Sequence, residues 1–183
     1  MILTTVWMRG LDMSVIKSIV VGLIAVFLIS ACVLSPKKQI STEVLLPASP
    51  DAVWAILVDT ERYEEWNPFI IASEGEVLEG ARITNTMRPE PGREMVFRPR
   101  ILVVQPNEEL RWIGRAFIPG IFDGEHYFLL ELQDGQTRMV HGENFSGVAL
   151  WFMDVATFET NFMEMNEALR ARLKALNKTD SES

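Results

Sequence analysis

The chain contains two histidines, and a single turn sets both of them beside a carboxylate. Asp134-Gly135, lying between two alternating apolar and polar runs, is the signature of a two-residue hairpin. Pairing Gln133 with Gln136 then sets Glu131 opposite Arg138, Phe128 opposite His141 and His126 opposite Glu143. One face of this hairpin carries His126, Phe128, Leu130, Leu132, Met139, His141, Glu143 and Phe145, and it is the apolar face. The other carries Glu125, Tyr127, Leu129, Glu131, Arg138, Val140 and Asn144. Two imidazoles and a carboxylate held within about 5 to 8 Å of one another at Cβ can move a proton, because a carboxylate beside an imidazole raises its pKa towards neutrality. His126, His141 and Glu143 are therefore the candidate catalytic residues. The same three groups can instead hold the polar end of an apolar ligand, or pair with one another structurally, since a buried carboxylate needs a partner.

Two histidines and a carboxylate are also the right types for a metal site, but three ligands on neighbouring strands must converge, which spacing alone does not provide. The reading assigns no metal and no cofactor. Neither a nucleophile triad in order nor a phosphate-binding glycine motif is present, and Gly114, Gly120 and Gly124 read as strand-edge and turn positions. With 17 basic against 25 acidic residues, a formal charge of −8 has the wrong sign for a nucleic-acid partner. One cysteine in 183 residues excludes an internal disulfide and a multi-cysteine zinc centre.

The elements that must position the site follow from periodicity. Gln39 to Leu46 alternates as a strand; Ser49 can then cap a helix with Pro50 at its first position. Val53, Trp54 and Leu57 face a core, and a second short turn follows at residues 61–65. After Trp66-Asn67-Pro68-Phe69, alternating runs at 70–76, 81–88, 94–104, 109–117, 124–133 and 136–146 read as consecutive antiparallel strands. From Asp154 to Leu176 the apolar positions Phe158, Phe162, Met165, Leu169, Leu173 and Leu176 recur at helical spacing, followed by a polar tail. The fold class is α+β, with a curved antiparallel sheet of about seven strands wrapped around a long C-terminal helix. Trp112, Phe128, Phe145, Phe158 and Phe162 are the apolar residues that would join His126, His141 and Glu143 in a ligand site, while the aromatic lining as a whole serves equally well as plain core. Arg82, Arg88, Arg98, Arg100, Arg111 and Arg115 read as the solvated outer face. Apolar loops at 117–122 and 150–153 read as a gate or membrane-touching lip if exposed, and as packing if buried.

From Ile19 to Leu34 no residue is charged, a run short for a bilayer span and preceded by Lys17, which is the pattern of an export signal. Ile29-Ser30-Ala31-Cys32 resembles the bacterial lipoprotein signal, in which the cysteine is lipidated. The alternative is an uncleaved anchor with an incidental cysteine; both place the domain outside the cytoplasm, at the membrane of a bacterial cell envelope. The organisation read from the sequence is a signal at 1–31, a tether at 32–38, one domain at 39–177 and a disordered tail at 178–183.

The run Ala48-Ser49-Pro50-Asp51-Ala52-Val53-Trp54, the Trp66-Asn67-Pro68 turn, the Trp112 strand, Gly124-Glu125-His126 and His141-Gly142-Glu143-Asn144-Phe145-Ser146-Gly147 carry a resemblance to a known family. Over about residues 39 to 175 the chain resembles the SRPBCC or START-like helix-grip superfamily, in particular its polyketide-cyclase and lipid-transport branch. The resemblance implies a large apolar cavity between sheet and long helix, used by relatives for lipids, sterols, polyketides or hormones and in some for cyclisation. The first functional reading is a membrane-tethered binding or transport protein for a small apolar molecule or lipid. The second is a cyclase- or isomerase-like enzyme with Glu143 and a histidine as acid and base, and a third is an accessory envelope protein whose cavity has closed.

Overall fold

A computed structural model describes residues 13–33, 35–116 and 118–182 of the chain, which divides into two units after Leu34. The first unit contains helix α1 (Met13–Val33), in which Lys17 is the charged residue. The side chains of residue 25 and of residues 27–34 lie outside the described set, and with them the lipidation expected at Cys32. Among the described residues no helix is long and apolar enough to cross a membrane.

The second unit is the α+β domain. Strand β1 (Lys37–Leu46) alternates cleanly, burying Ile40, Thr42, Val44 and Leu46. The Ser49 hydroxyl accepts from the Ala52 amide and starts α2 (Pro50–Val58), with proline at the position where a missing N–H costs nothing. A 3₁₀ turn at Thr60–Glu65 leads into Asn67, whose side-chain oxygen accepts from the amides of Phe69 and Ile70 and so launches the next strand. The remaining elements are β2 (Ile70–Glu74), β3 (Thr84–Glu90), β4 (Arg93–Phe97), β5 (Arg100–Gln105), β6 (Glu109–Ala116), β7 (Phe122–Gln133), β8 (Gln136–Ser146) and α3 (Ala156–Glu182). One antiparallel sheet has the order β1-β8-β7-β6-β5 and a second the order β2-β3-β4. Phe162, Met165, Leu169 and Leu173 of α3 join β1, β6, β7 and β8 in one core.

Four details differ from the sequence reading. The run at 94–104, read as one strand, is two: Arg98-Pro99 breaks it, because proline has no amide to donate and restricts the residue before it. The sheet is consequently divided, and the 81–83 segment, read as strand, only bridges the two parts through Arg82 and Arg100. The tail read as disordered from 178 is helical to Glu182, since no proline or glycine stops α3 there. Lys37 and Lys38, read as the end of a tether, belong to β1.

The hairpin register is as derived: Gln133 pairs with Gln136, Glu131 with Arg138, Phe128 with His141 and His126 with Glu143. Asp134 and Gly135 take positive φ values of 51° and 77°, as a type I′ turn requires. Leu132, on the inner face by parity, is 64% exposed because it lies at the hairpin tip, beyond the core. Tyr127, placed on the solvated face, is buried. Its ring lies where a side chain on its cross-strand partner Gly142 would be, with the Arg111 guanidinium 4.9 Å from the ring centroid and Gln39 donating to its hydroxyl.

Candidate functional site

The inner face of β7 and β8 carries a chain of buried hydrogen bonds whose direction is set at one end. The His141 carbonyl can only accept, and it accepts from the Thr42 hydroxyl at 2.9 Å. Thr42 Oγ1 in turn accepts from Asn166 Nδ2 at 2.9 Å. This fixes the Asn166 amide so that its Oδ1 faces His141 Nδ1 at 2.8 Å, and Nδ1 must carry the proton. His141 Nε2 is then the acceptor of a neutral ring, and His126 Nε2, 2.9 Å away, must donate to it. What remains is His126 Nδ1, 3.3 Å from Glu143 Oε2. One proton lies between them, giving either a carboxylic acid against a neutral imidazole or a carboxylate against an imidazolium.

Burial decides in favour of the neutral pair. His126 and His141 are almost wholly buried and packed in aromatic rings. Trp112 stacks on His126 at 4.6 Å and 4° between planes, and His141 lies between Phe128 and Phe162, both at 4.4 Å. Removing such groups from water disfavours their charged forms. Desolvation pushes His126 down to about 3, pushes His141 well below its usual range, with the neighbouring His126 acting in the same sense, and pushes Glu143 up to about 8. The Glu143 side chain is 13% exposed. At neutral pH the relay is uncharged and ends in a protonated carboxyl group that donates to His126. Neither imidazole is raised in pKa by the carboxylate, as simple proximity suggests, because burial is the dominant effect.

Glu143 and His126 form the polar part of an apolar pocket between the two sheets and the first turn of α3. The pocket's cavity volume is about 40 Å³, inside an opening of about 520 Å³ that includes the solvent at its mouth. Phe69, Phe97, Trp112, Phe122, Phe145 and Phe158 make most of its wall, with Asn85 as a further polar residue, and no lysine or arginine among the described residues borders it. Of the residues expected to touch a ligand, Trp112, His126, Glu143, Phe145 and Phe158 line this space. Phe128, His141 and Phe162 lie behind the wall as fully buried packing. The large cavity implied by resemblance is accordingly reduced to one end of the sheet, because Phe128, Phe162, Met165 and Leu169 fill the rest.

Three contributors went unrecognised in the sequence. Thr42 and Asn166 orient the relay; each interrupts an apolar series, Ile40-Thr42-Val44 on β1 and Phe162-Asn166-Leu169 on α3, and a polar residue on a buried stripe was the available signal. Gly124, read as a turn position, lies mid-strand opposite Gly114, and a methyl group on it would overlap Glu143 Oε1. Its missing side chain makes the seat of the carboxyl group. Gly124→Ala is expected to leave the fold intact, since the obstructing atom is the end of a flexible side chain. The carboxyl group should swing out, with about tenfold weaker binding in the pocket, the value of one hydrogen bond. Probe titration together with thermal unfolding checks this; unchanged binding with a lowered Tm would show that Glu143 has no part in the pocket.

Among the described residues no group of three His, Cys, Asp or Glu side chains is arranged to hold a metal ion. All four imidazole nitrogens are taken up in the relay.

A family model described as polyketide cyclase / dehydrase and lipid transport matches residues 37–177. No curated protein matches the sequence. Among solved structures, the chain is similar to a START superfamily protein from Mycobacterium smegmatis, with 17% identity and a TM-score of 0.59, covering 75% of this chain and 98% of that one. It is similar also to the Zhui aromatase/cyclase from a Streptomyces species, with 15% identity and a TM-score of 0.60 over 76% and 94%. A third is major latex-like protein 151 from Panax ginseng, with 8% identity and a TM-score of 0.64 over 74% and 97%. At these identities the likenesses establish the fold.

Proposed function

The chain belongs to the polyketide cyclase / dehydrase and lipid transport family, and from that premise we propose that it binds a small, uncharged, apolar molecule carrying a hydroxyl group. The observation that carries this reading is the buried Glu143 at the wall of an apolar pocket that no lysine or arginine among the described residues borders, where burial pushes its carboxyl group up to about 8. Its Oε2 hydrogen is committed to His126, so the group left for a ligand is the acceptor Oε1, seated over Gly124. An acceptor in an apolar cleft selects a neutral donor, and an anionic ligand would meet no compensating charge. The lipoprotein-like run before Cys32 supports the further part of the reading, that the domain is exported and held at a membrane by its N-terminal segment.

The test is displacement of N-phenyl-1-naphthylamine from the full-length protein at pH 7. A long-chain alcohol should compete at a concentration at least about tenfold lower than the carboxylate of equal chain length, the value of one unpaired buried charge or hydrogen bond. Preference for the carboxylate, or no competition by either, would overturn the reading. A second reading, proton-transfer catalysis, is favoured by the burial of Glu143 beside His126: a carboxyl group pushed up to about 8 can both give and take a proton at physiological pH.

A further inference from the structure

Two apolar loops lie side by side at the end of the domain where β7 begins and β8 ends. In the first, Ile118 is exposed; in the second, Trp151, Phe152 and Met153 are exposed, Phe152 to 88%. Their backbones are joined, the Val148 amide donating to the Gly120 carbonyl at 3.1 Å and the Ala149 amide to Ile121 at 3.0 Å. Gly147, at a φ of 127°, permits that approach, since any side chain there would overlap the Ile121 backbone. Four large apolar side chains on one backbone-bonded edge are more than scattered surface hydrophobes, and such a patch marks a surface that is covered in use.

The surroundings of the patch indicate what covers it. Lys37 opens β1 opposite Ser146, one residue before the second loop, and Lys38 donates from Nζ to the Met153 carbonyl at 3.1 Å. Two exposed cations thus border the apolar edge of a chain whose formal charge is −8. Of the acidic residues next to the patch, Asp154 is engaged by the Ala156 amide at the start of α3, and Asp123 accepts from the Gly120 amide and is paired with Arg115. An apolar tip with an aromatic residue, a cationic rim and an otherwise acidic body has the composition of a face that meets an anionic bilayer. The loops lead directly into the pocket wall, at Phe122 in the first residue of β7 and Phe158 in the first turn of α3.

We propose that these two loops form a lip that enters the boundary between headgroups and acyl chains of an anionic bilayer, placing the pocket next to the membrane. The inference does not rest on the identity of the pocket's ligand. It shares with the proposed function only the assumption that the domain works at a membrane.

The experiment uses the full chain with Cys32 replaced by Ser and a nitrobenzoxadiazole fluorophore at Phe152→Cys, reconstituted with phosphatidylcholine–phosphatidylglycerol vesicles whose acyl chains carry bromine. A second sample carries the label at Leu132→Cys, on the hairpin tip at the other end of β7. The expected result is a blue shift and at least about twofold bromine quenching at position 152, no quenching at 132, and less quenching at 152 in pure phosphatidylcholine. Equal signals at the two positions, or none at 152 on vesicle-bound protein, overturn the lip and leave the membrane-held reading standing. A blue shift at 152 without bromine quenching assigns the patch to a second copy of the chain and also overturns the lip. Failure of this unlipidated chain to associate with vesicles overturns the lip and leaves the reading that the N-terminal segment holds the domain at a membrane standing.

Discussion

Replacing Glu143 by Gln should make the protein more stable above pH 7 and remove the loss of stability with rising pH that the native carboxyl group causes. In the unfolded chain the Glu143 carboxyl ionises near 4.5, whereas in the folded domain burial holds its proton up to about 8. Between these values the folded state binds the extra proton, so the contribution is complete below pH 4.5 and is lost as pH rises through 8. A shift of this kind is worth about 1.4 kcal/mol per unit, several kcal/mol across the window. The two buried imidazoles act in the opposite sense. His126 is neutral in the fold down to about 3, so its contribution is present above 6.5 and lost as pH falls. Stability should therefore peak between the two regimes, near pH 6.5.

In Glu143→Gln the side-chain amide donates to His126 Nδ1 as the carboxyl group did, so the relay keeps its direction and only the ionisable group is lost. Denaturant unfolding at pH 5, 7 and 9 checks this: variant and native protein should agree at the lowest pH and diverge in the variant's favour above it. Parallel curves would show that Glu143 is already ionised in the fold. The same variant separates the two functional classes. A carrier should keep its binding of apolar probes, while a proton-transfer catalyst should lose about 10² to 10⁴ in rate.

Phe162→Ala should be the most destabilising of the changes considered, by about 3 to 5 kcal/mol, the usual cost of emptying a buried phenylalanine site. Phe162 is fully buried, stacks on His141 at 4.4 Å and meets His126 and Phe69 edge-on at 5.0 and 5.8 Å. Its removal opens space beside the imidazoles, and water admitted there restores part of their hydration. Both histidines should then titrate closer to 6.5, which proton NMR of the two ring resonances reads directly. A destabilised variant whose imidazoles still do not titrate above pH 5 would show that packing other than Phe162 keeps them neutral.

How far the sequence reaches is clear from these same residues. The register of His126 against Glu143 and of Phe128 against His141 was legible because one Asp-Gly turn sets every later pair by arithmetic. The cap at Ser49 and the apolar stripe of α3 were legible for the same local reason. The break at Arg98-Pro99 was a local signal too, masked by the alternating run on either side of it.

The aromatic packing, the relay and the pocket were beyond that reach. Thr42 and Asn166 are distant in sequence from His141 and meet it only when β1 pairs with β8 and α3 covers the sheet. The sequence by itself determined which residues share a face, since strand and helix periods and turn chemistry are local. Only the tertiary structure decided what that face does. The charge of Glu143 and of the two histidines depends on how much water the surrounding rings exclude, and exclusion of water is a property of the whole packed core.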